Sequence, residues 1–230
     1  MKRCLQFALV LLLPIAGLAQ PQVVDRMVAV VNKRVILQSE LDQAARVEFL
    51  LQGKSIASLT QADTAAVLEQ LIDRALLDQQ IVNPAMLDPS PEELAAKVRE
   101  VRQNFSGSTG QNDDRWRSTL VAYGLTQQDL EEQLSSQARI LRFVDLRFRA
   151  LVRVEKDDIE TYYQQKFLPE VRKRNAPAPA LADVSDKIEQ ILVEQRIDSL
   201  LSDWLKTLRA QAHIETMLPA SSAPAAGTAP

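Results

Sequence analysis

The order of apolar and polar positions along the chain predicts a mostly helical protein with a small β element. Val23 to Leu37 contains two short β-branched runs on either side of Asn32-Lys33, which indicates a β-hairpin. From there onwards, apolar residues recur three and four positions apart, as they do along one face of a helix. A final short strand is predicted at His213-Ile214-Glu215. The pattern therefore predicts about six helices and two or three strands.

Helix start signals divide the chain into its predicted helices. Thr60 and Thr126 each precede an aspartate by three residues, and Ser90-Pro91-Glu92-Glu93 combines a cap, a proline and two acids in the first turn. Ser39 with Asp42 is similar to a capping box. The composition of the segment 106–112 predicts a mobile loop. The predicted helices begin near Ser39, Thr60, Ser90, Thr126, Lys156 and Val184, with a further short helix around Trp116.

The first nineteen residues have the pattern of a cleaved signal peptide. Lys2 and Arg3 form a positive start, Leu5 to Leu13 an apolar run, and Gly17-Leu18-Ala19 a small-residue cleavage site. The apolar run is shorter than the roughly 20 residues that a membrane span needs. The sequence therefore predicts export and a mature chain beginning at Gln20, without a further membrane-spanning segment.

Charge and cysteine content narrow the class of protein. The chain carries a net charge of -3, and removal of residues 1–19 takes away two positive charges and no negative ones, leaving -5. Nucleic acid is therefore not an expected partner, since no basic surplus exists to neutralise phosphates. The single cysteine, Cys4, lies in the predicted signal peptide, so the mature chain depends on its apolar core rather than on disulfides.

The residue types needed for catalysis or metal binding are nearly absent. His213 is the only histidine, and we interpret it as a surface or strand-edge residue. The acidic pairs Asp113-Asp114, Glu131-Glu132 and Asp157-Asp158 fall in predicted first helical turns, where the helix dipole favours acids. Without a cluster of histidines and cysteines or a glycine-rich loop, no catalytic residue, cofactor site or metal site is predicted.

Several segments of the chain together resemble a known family. The first is VVDRMVAVVNKRVILQSELDQ, from Val23 to Gln43, which is similar to the start of the SurA-type periplasmic chaperones after their signal peptide. VLEQLIDRALLDQQI resembles the next helix of that family, and STLVAYGLTQQDLEEQL resembles a later segment. The end of the last predicted helix, WLKTLRAQAHIE, resembles the family's last helix and strand, which fold back onto the first part. The resemblance covers nearly all of residues 22–215.

The resemblance also suggests that a domain is missing. Typical family members carry one or two parvulin-type prolyl isomerase domains before the last helix, whereas this chain has only the sixteen residues 168–183 there. An independent domain of about a hundred residues does not fit in that interval. We expect residues 20–167 and 184–215 to form one discontinuous chaperone core. Residues 168–183 would then be a linker and residues 216–230 a disordered tail.

The function implied by the resemblance is that of a periplasmic holdase without isomerase activity. Its expected partners are unfolded or partly folded exported polypeptides, above all outer-membrane β-barrel precursors. Aromatic side chains in such proteins can bind apolar client segments, and six are predicted to do so: Phe105, Trp116, Tyr123, Tyr162, Tyr163 and Phe167. Simple core packing is the alternative for each of them.

Two other functions stay open at this point. The protein could be a dedicated partner of one envelope assembly, or dimerise through its long helices. It could also be a prolyl isomerase with a degenerate site, although the missing domain argues against an enzyme.

Overall fold

A three-stranded antiparallel sheet brings together the two ends of the described chain. The computed structural model describes residues 25–106, 113–175 and 177–217. Strands β1 (Met27–Val31) and β2 (Arg34–Leu37) form the predicted hairpin, and Asn32 takes the left-handed conformation in its turn, with a φ of 56°. Strand β3 (Ile214–Thr216) pairs with the other edge of β1, so the strand order is β2-β1-β3.

Helices make up most of the rest, which confirms the mostly α fold class. Within the described residues the helices are α1 (Gln38–Leu51), α2 (Gln61–Asp78), α3 (Pro91–Ser106), α4 (Asp113–Tyr123), α5 (Gln127–Phe148), α6 (Lys156–Tyr162), α7 (Leu168–Lys173) and α8 (Leu181–Gln211). A π-helical turn, Tyr163–Phe167, joins α6 to α7. Short 3-10 turns occur at Ile56–Ser58, Pro84–Met86 and Arg149–Leu151.

Three of the four predicted caps are present. Thr60 with Asp63 and Thr126 with Asp129 form reciprocal capping boxes. The Ser90 backbone N–H donates to Glu93 Oε2 over 2.7 Å, and the Glu93 N–H donates to Ser90 Oγ over 3.3 Å. These bonds satisfy amides that the helix cannot pair internally.

The predicted cap at Ser39 is wrong. Helix α1 begins one residue earlier, at Gln38, and its N-cap residue, Leu37, makes no side-chain capping bond. Ser39 instead donates its hydroxyl and its backbone N–H to the carboxylate of Asp25, just before β1. The start of α1 is thus tied to the start of the hairpin rather than closed by a local cap.

The main core lies between the sheet and helices α1, α2 and α8. Val28 and Ile36 from the hairpin are buried against Leu41 of α1 and Ile72 of α2. Leu208 of α8 closes this core, and the partly buried residues packed around it include Leu201, Trp204, Leu205, Ala212 and Ile214. The C-terminal helix and strand therefore pack back onto the N-terminal hairpin, as predicted.

Helix α5 is the central helix among those that the structure describes. It contacts α1, α2, α3 and α8. On the α8 side, Val144 and Phe148 pack against Ile197. Since one helix meets partners on several sides, its apolar positions extend around more than one face, and some of them lie at the edges of its contacts.

The interval predicted to be a linker is shorter than expected. Residues 168–173 form α7, and α8 begins at Leu181 rather than at Val184. Pro179 restricts the residue before it and not those after it, and Leu181 and Ala182 are good helix formers, so the helix starts sooner. The division into core, linker and tail stays a prediction. The predicted signal peptide, most of the loop 106–112 and residues 218–230 lie outside the described residues.

Candidate functional site

The first predicted aromatic set lies in a packed cluster around α4. Trp116 is buried, with Phe105 at 6.5 Å between ring centroids. Both pack near Val47 of α1. The hydroxyl of Tyr123 donates to the backbone carbonyl of Lys54 over 2.7 Å. These contacts hold α4 against α1 and α3, and the role of the three aromatic residues as client contacts stays a prediction.

The second aromatic set forms a separate cluster where α6 meets the start of α8. Tyr163 is buried, stacks on Phe167 at 5.7 Å and donates its hydroxyl to the Pro179 carbonyl over 2.7 Å. Tyr162 packs against the same cluster, whose most buried member is Ile188. This set ties the connection before α8 to that helix. Its role in client binding is likewise untested.

A patch of exposed apolar residues lies elsewhere, along α5. Leu141 is 69% exposed and Leu146 is 70% exposed, although both belong to a central helix. Met86, in the 3-10 turn before α3, is 79% exposed. Several large, exposed aliphatic side chains that lie close to one another are typical of a surface that binds a partner.

These residues line an open groove between α5 and α8, here called the α5–α8 groove. It encloses about 720 Å³, within the size range of ligand sites. The buried side chains of Val144 and Ile197 belong to its lining. The other apolar residues that line it are Met86, Leu87, Ile140, Leu141, Leu146 and Leu201.

A second groove, here called the α3–α5 groove, adjoins the first. It encloses about 420 Å³ and is lined by the apolar residues Pro89, Leu94, Ala96, Leu134, Ala138 and Leu141. Leu141 and Arg142 belong to both linings. The two grooves therefore meet at Leu141 and form one apolar path across the exposed side of α5.

Two arginines of α5 hold the chain segment that lies between the grooves. Arg139 Nε donates to Asp88 Oδ1 over 2.6 Å. Arg142 donates to the Asp88 carbonyl and to both carboxylate oxygens of Glu93, each over 2.7 Å. The Ser90 backbone N–H and then the Arg142 guanidinium lower the pKa of Glu93, so this carboxylate stays charged. The contacts fix Met86 and Leu87 at the rim of the α5–α8 groove.

Towards its N-terminal end, α5 meets α1 and α2 through polar contacts. Arg74 donates to Gln133 Oε1 over 2.8 Å, and Gln43 donates to Asp129 Oδ1 over 2.9 Å. Burial lowers the pKa of Arg74 and raises that of Asp78, because low polarity disfavours the charged form of each. Two small cavities of about 280 and 290 Å³ flank Arg74.

The described residues offer little catalytic equipment. His213 is exposed, and its Nε2 lies 2.9 Å from Glu215 Oε1 beside β3. The acidic pairs 113–114 and 157–158 lie in first helical turns. Glu131 and Glu132 do not, since Asp129 is the first-turn acid of α5, and both instead accept bonds from glutamines four residues before them. Among the residues described, no group of acidic, histidine or cysteine side chains is arranged to hold a metal ion.

None of the helices that the structure describes is long and apolar enough to cross a membrane. Even α8, the longest of them, is interrupted by charged residues throughout its length.

Comparison with known proteins agrees with the family resemblance. A family model described as SurA-like N-terminal domain matches residues 4–143, which is more than half of the chain. The chain therefore belongs to the SurA-like N-terminal domain family. The match includes the hairpin, the α3–α5 groove and Leu141, whereas the α8 wall of the α5–α8 groove lies beyond it.

Individual relatives extend the similarity. The protein named Chaperone SurA from Chromohalobacter salexigens is 28% identical over 162 residues, covering 69% of this chain and 36% of the relative. The protein of that name from Hahella chejuensis is 29% identical over 168 residues, covering 72% and 37%. The Pseudomonas putida protein of that name is 27% identical over 215 residues, covering 89% and 47%. The chain thus spans less than half the length of these relatives.

Proposed function

We propose that the protein is a periplasmic holdase chaperone that binds unfolded exported polypeptides, with outer-membrane β-barrel precursors as its principal clients. Membership of the SurA-like N-terminal domain family supports this function, and so does the similarity to proteins named chaperones. The signal-peptide pattern of residues 1–19 supports the location.

The observation that carries the proposal is the exposure of Leu141 where two apolar grooves meet. Burying apolar surface contributes roughly 25 cal/mol per Å², so an unfolded segment gains from covering this path. Strands of barrel precursors alternate apolar and polar residues, and an open groove lets the polar residues remain in water. Such binding is weak per contact and reversible, as a holdase requires.

The test is aggregation of a urea-denatured outer-membrane porin after dilution, followed by light scattering. The exported form, residues 20–230, is added at near-stoichiometric amounts. We expect suppression of porin aggregation and also of an unrelated soluble client. Protection of neither client would overturn the proposal, and protection of the porin alone would favour a dedicated partner of one envelope assembly.

Matched variants locate the binding surface. In Leu141→Gln/Leu146→Gln, two groove leucines become polar, and we expect severalfold more protein to be needed for half-maximal protection. The control is Val121→Gln/Leu151→Gln, in which two residues of similar exposure, 74% and 68%, change outside both grooves. Equal loss in both variants would argue against the grooves as the binding surface.

The absence of isomerase activity is the second part of the proposal. It is supported by the shortness of the interval before α8, since α7 ends at Lys173 and α8 begins at Leu181. A parvulin domain of about a hundred residues does not fit there. We expect no acceleration of cis–trans exchange in a proline-containing test peptide. Measurable acceleration would instead favour the degenerate isomerase.

A further inference from the structure

The α8 wall of the α5–α8 groove combines apolar and acidic residues in one stripe. Glu194, Ile197, Asp198 and Leu201 are spaced three and four positions apart, so they lie on the same side of the helix. Ile197 is buried and Leu201 partly buried, while Glu194 and Asp198 are exposed. The apolar lining of the groove is therefore bordered by two carboxylates.

The cations that line this groove already have acidic partners. Arg142 pairs with Glu93 over 2.7 Å, and Arg149, which directly follows α5, pairs with Asp145. By contrast, neither Glu194 nor Asp198 forms an ion pair or a side-chain hydrogen bond with any residue in the described part of the chain. The groove thus has two carboxylates whose charge is not offset by a neighbouring cation.

Asp198 also lines a small cavity of about 300 Å³, and the cations of this cavity likewise have acidic partners. Its cations are Lys206 and Arg209. Lys206 pairs with Asp203 over 2.9 Å, and Arg209 pairs with Asp73 over 2.6 Å and with Glu69 over 2.8 Å. Each cation that lines a cavity beside Asp198 therefore has an acidic partner of its own, and a bound client can supply a counter-charge to Asp198.

We propose that the α5–α8 groove prefers apolar client segments that carry lysine or arginine beside their apolar residues. This preference rests on the proposed holdase function and defines the clients of the same groove. A lysine or arginine can lay its aliphatic stem on the apolar lining and place its charge at Glu194 or Asp198. Both carboxylates are exposed, so the effect is a graded preference rather than a requirement.

The spacing of the two carboxylates suits an extended client. Four residues of helix separate Glu194 from Asp198 by about 6 Å along the axis. Residues i and i+2 of an extended chain lie on the same side, about 6.6 Å apart. A segment that alternates apolar and basic residues can therefore face both carboxylates while its apolar residues face the α5 wall.

The test uses three fluorescent peptides with identical alternating leucine and valine positions, whose other positions are lysine, glutamine or glutamate. Anisotropy titrations with residues 20–230 at low ionic strength give Kd for each. We expect the lysine peptide to bind about threefold to fivefold more tightly than the glutamine peptide, the range of one or two exposed ion pairs. The glutamate peptide should bind most weakly, and the differences should shrink in high salt.

Two variants distinguish an effect of Glu194 and Asp198 from an effect of the overall negative charge of the protein. Glu194→Gln/Asp198→Asn should abolish most of the difference between the lysine and glutamate peptides. Asp186→Asn/Glu189→Gln changes two exposed acids of α8 that line neither groove, with the same change in net charge, and should keep the difference.

The outcomes distinguish the two proposals. If the glutamine peptide binds but the three affinities are equal, the charge preference is overturned and the apolar groove stands. If the difference survives in Glu194→Gln/Asp198→Asn, the preference does not arise from these carboxylates and the inference is again overturned. If none of the peptides binds, the proposed client-binding function fails, and the preference fails with it.

Discussion

Arg147 and Trp204 stack across the contact between α5 and α8, with the guanidinium carbon of Arg147 4.0 Å from the centroid of the Trp204 ring. Phe148 meets the same indole edge-on at 5.7 Å, and Phe143 lies 5.9 Å from it. This aromatic and cationic contact joins the two helices that form the walls of the α5–α8 groove. The width of the groove therefore depends on it.

Replacing Arg147 and replacing Trp204 should weaken the contact between α5 and α8 by different amounts. We expect Arg147→Met to lower the free energy of unfolding by about 0.5 to 1 kcal/mol, because the cation is lost while the aliphatic stem is kept. Trp204→Ala removes a large, partly buried ring and should cost about 3 kcal/mol. Urea denaturation measures both. Arg153→Met, at an exposed arginine before α6, serves as the control and should have little effect.

Removal of residues 184–215 should unfold the N-terminal part. The deletion takes away most of α8 and nearly all of β3, and so exposes one edge of β1 and one side of the main core. Circular dichroism during heating should then show no cooperative transition. A truncated protein that melts cooperatively at the temperature of the intact chain would show that the core is not discontinuous.

A single substitution tests the same packing without shortening the chain. Leu208 of α8 is 9% exposed and belongs to the main core, so Leu208→Ala should cost about 2 to 5 kcal/mol in the free energy of unfolding. Leu200→Ala, at a leucine of the same helix that is 37% exposed, should cost well under half as much. Similar losses at both positions would mean that α8 does not close the core through Leu208.

The hydrogen bonds that Glu93 accepts from Ser90 and Arg142 contribute stability that depends on pH in a defined direction. The pKa of Glu93 is lowered from 4.5 by the Ser90 N–H and by Arg142. A depressed pKa in the folded state adds stability above the unfolded value, and this stability is lost as pH falls through the folded value. Glu93→Gln should therefore be destabilised relative to the natural protein near neutral pH, with the difference shrinking in acid. A constant difference in denaturation experiments across this range would contradict the prediction.

Asp78 should show the opposite pH dependence. Its pKa is raised from 3.8 because burial outweighs the attraction of Arg139, Arg74 and Arg34. A raised carboxyl pKa contributes stability below the unfolded value, and this contribution is lost as pH rises through the folded value. Asp78→Asn should therefore gain stability relative to the natural protein as pH rises from strongly acidic to neutral. Glu93→Gln, measured in the same series, provides the comparison of opposite sign.

Much of the fold was predictable because its signals are local. The hairpin follows from β-branched runs around Asn32, and the starts of α2, α3 and α5 follow from caps whose partners lie three residues away. Ser39 shows where such reasoning fails. Its partner, Asp25, lies fourteen residues earlier in the chain, and local spacing alone cannot reveal that bond.

The candidate site was harder to predict, because exposure depends on what each helix packs against. The six predicted aromatic residues are the largest apolar side chains of their segments, and the fold uses them in two packed clusters. The groove is instead bordered by aliphatic residues such as Leu141 and Leu146. One signal was present in the sequence, since α5 has more apolar positions than a single packed face requires. The pattern could not indicate which of them would be left uncovered.

The sequence by itself determined the mostly helical class, the hairpin, most helix starts and the family, because these follow from periodicity, capping and short motifs. Only the tertiary structure decided which edge of the hairpin β3 pairs with, the joining of two apolar grooves at Leu141, and the unpaired carboxylates at Glu194 and Asp198. The physical reason is that each of these features arises from contacts between segments far apart in the chain. Residue spacing fixes the face of each helix, whereas packing decides whether that face is covered.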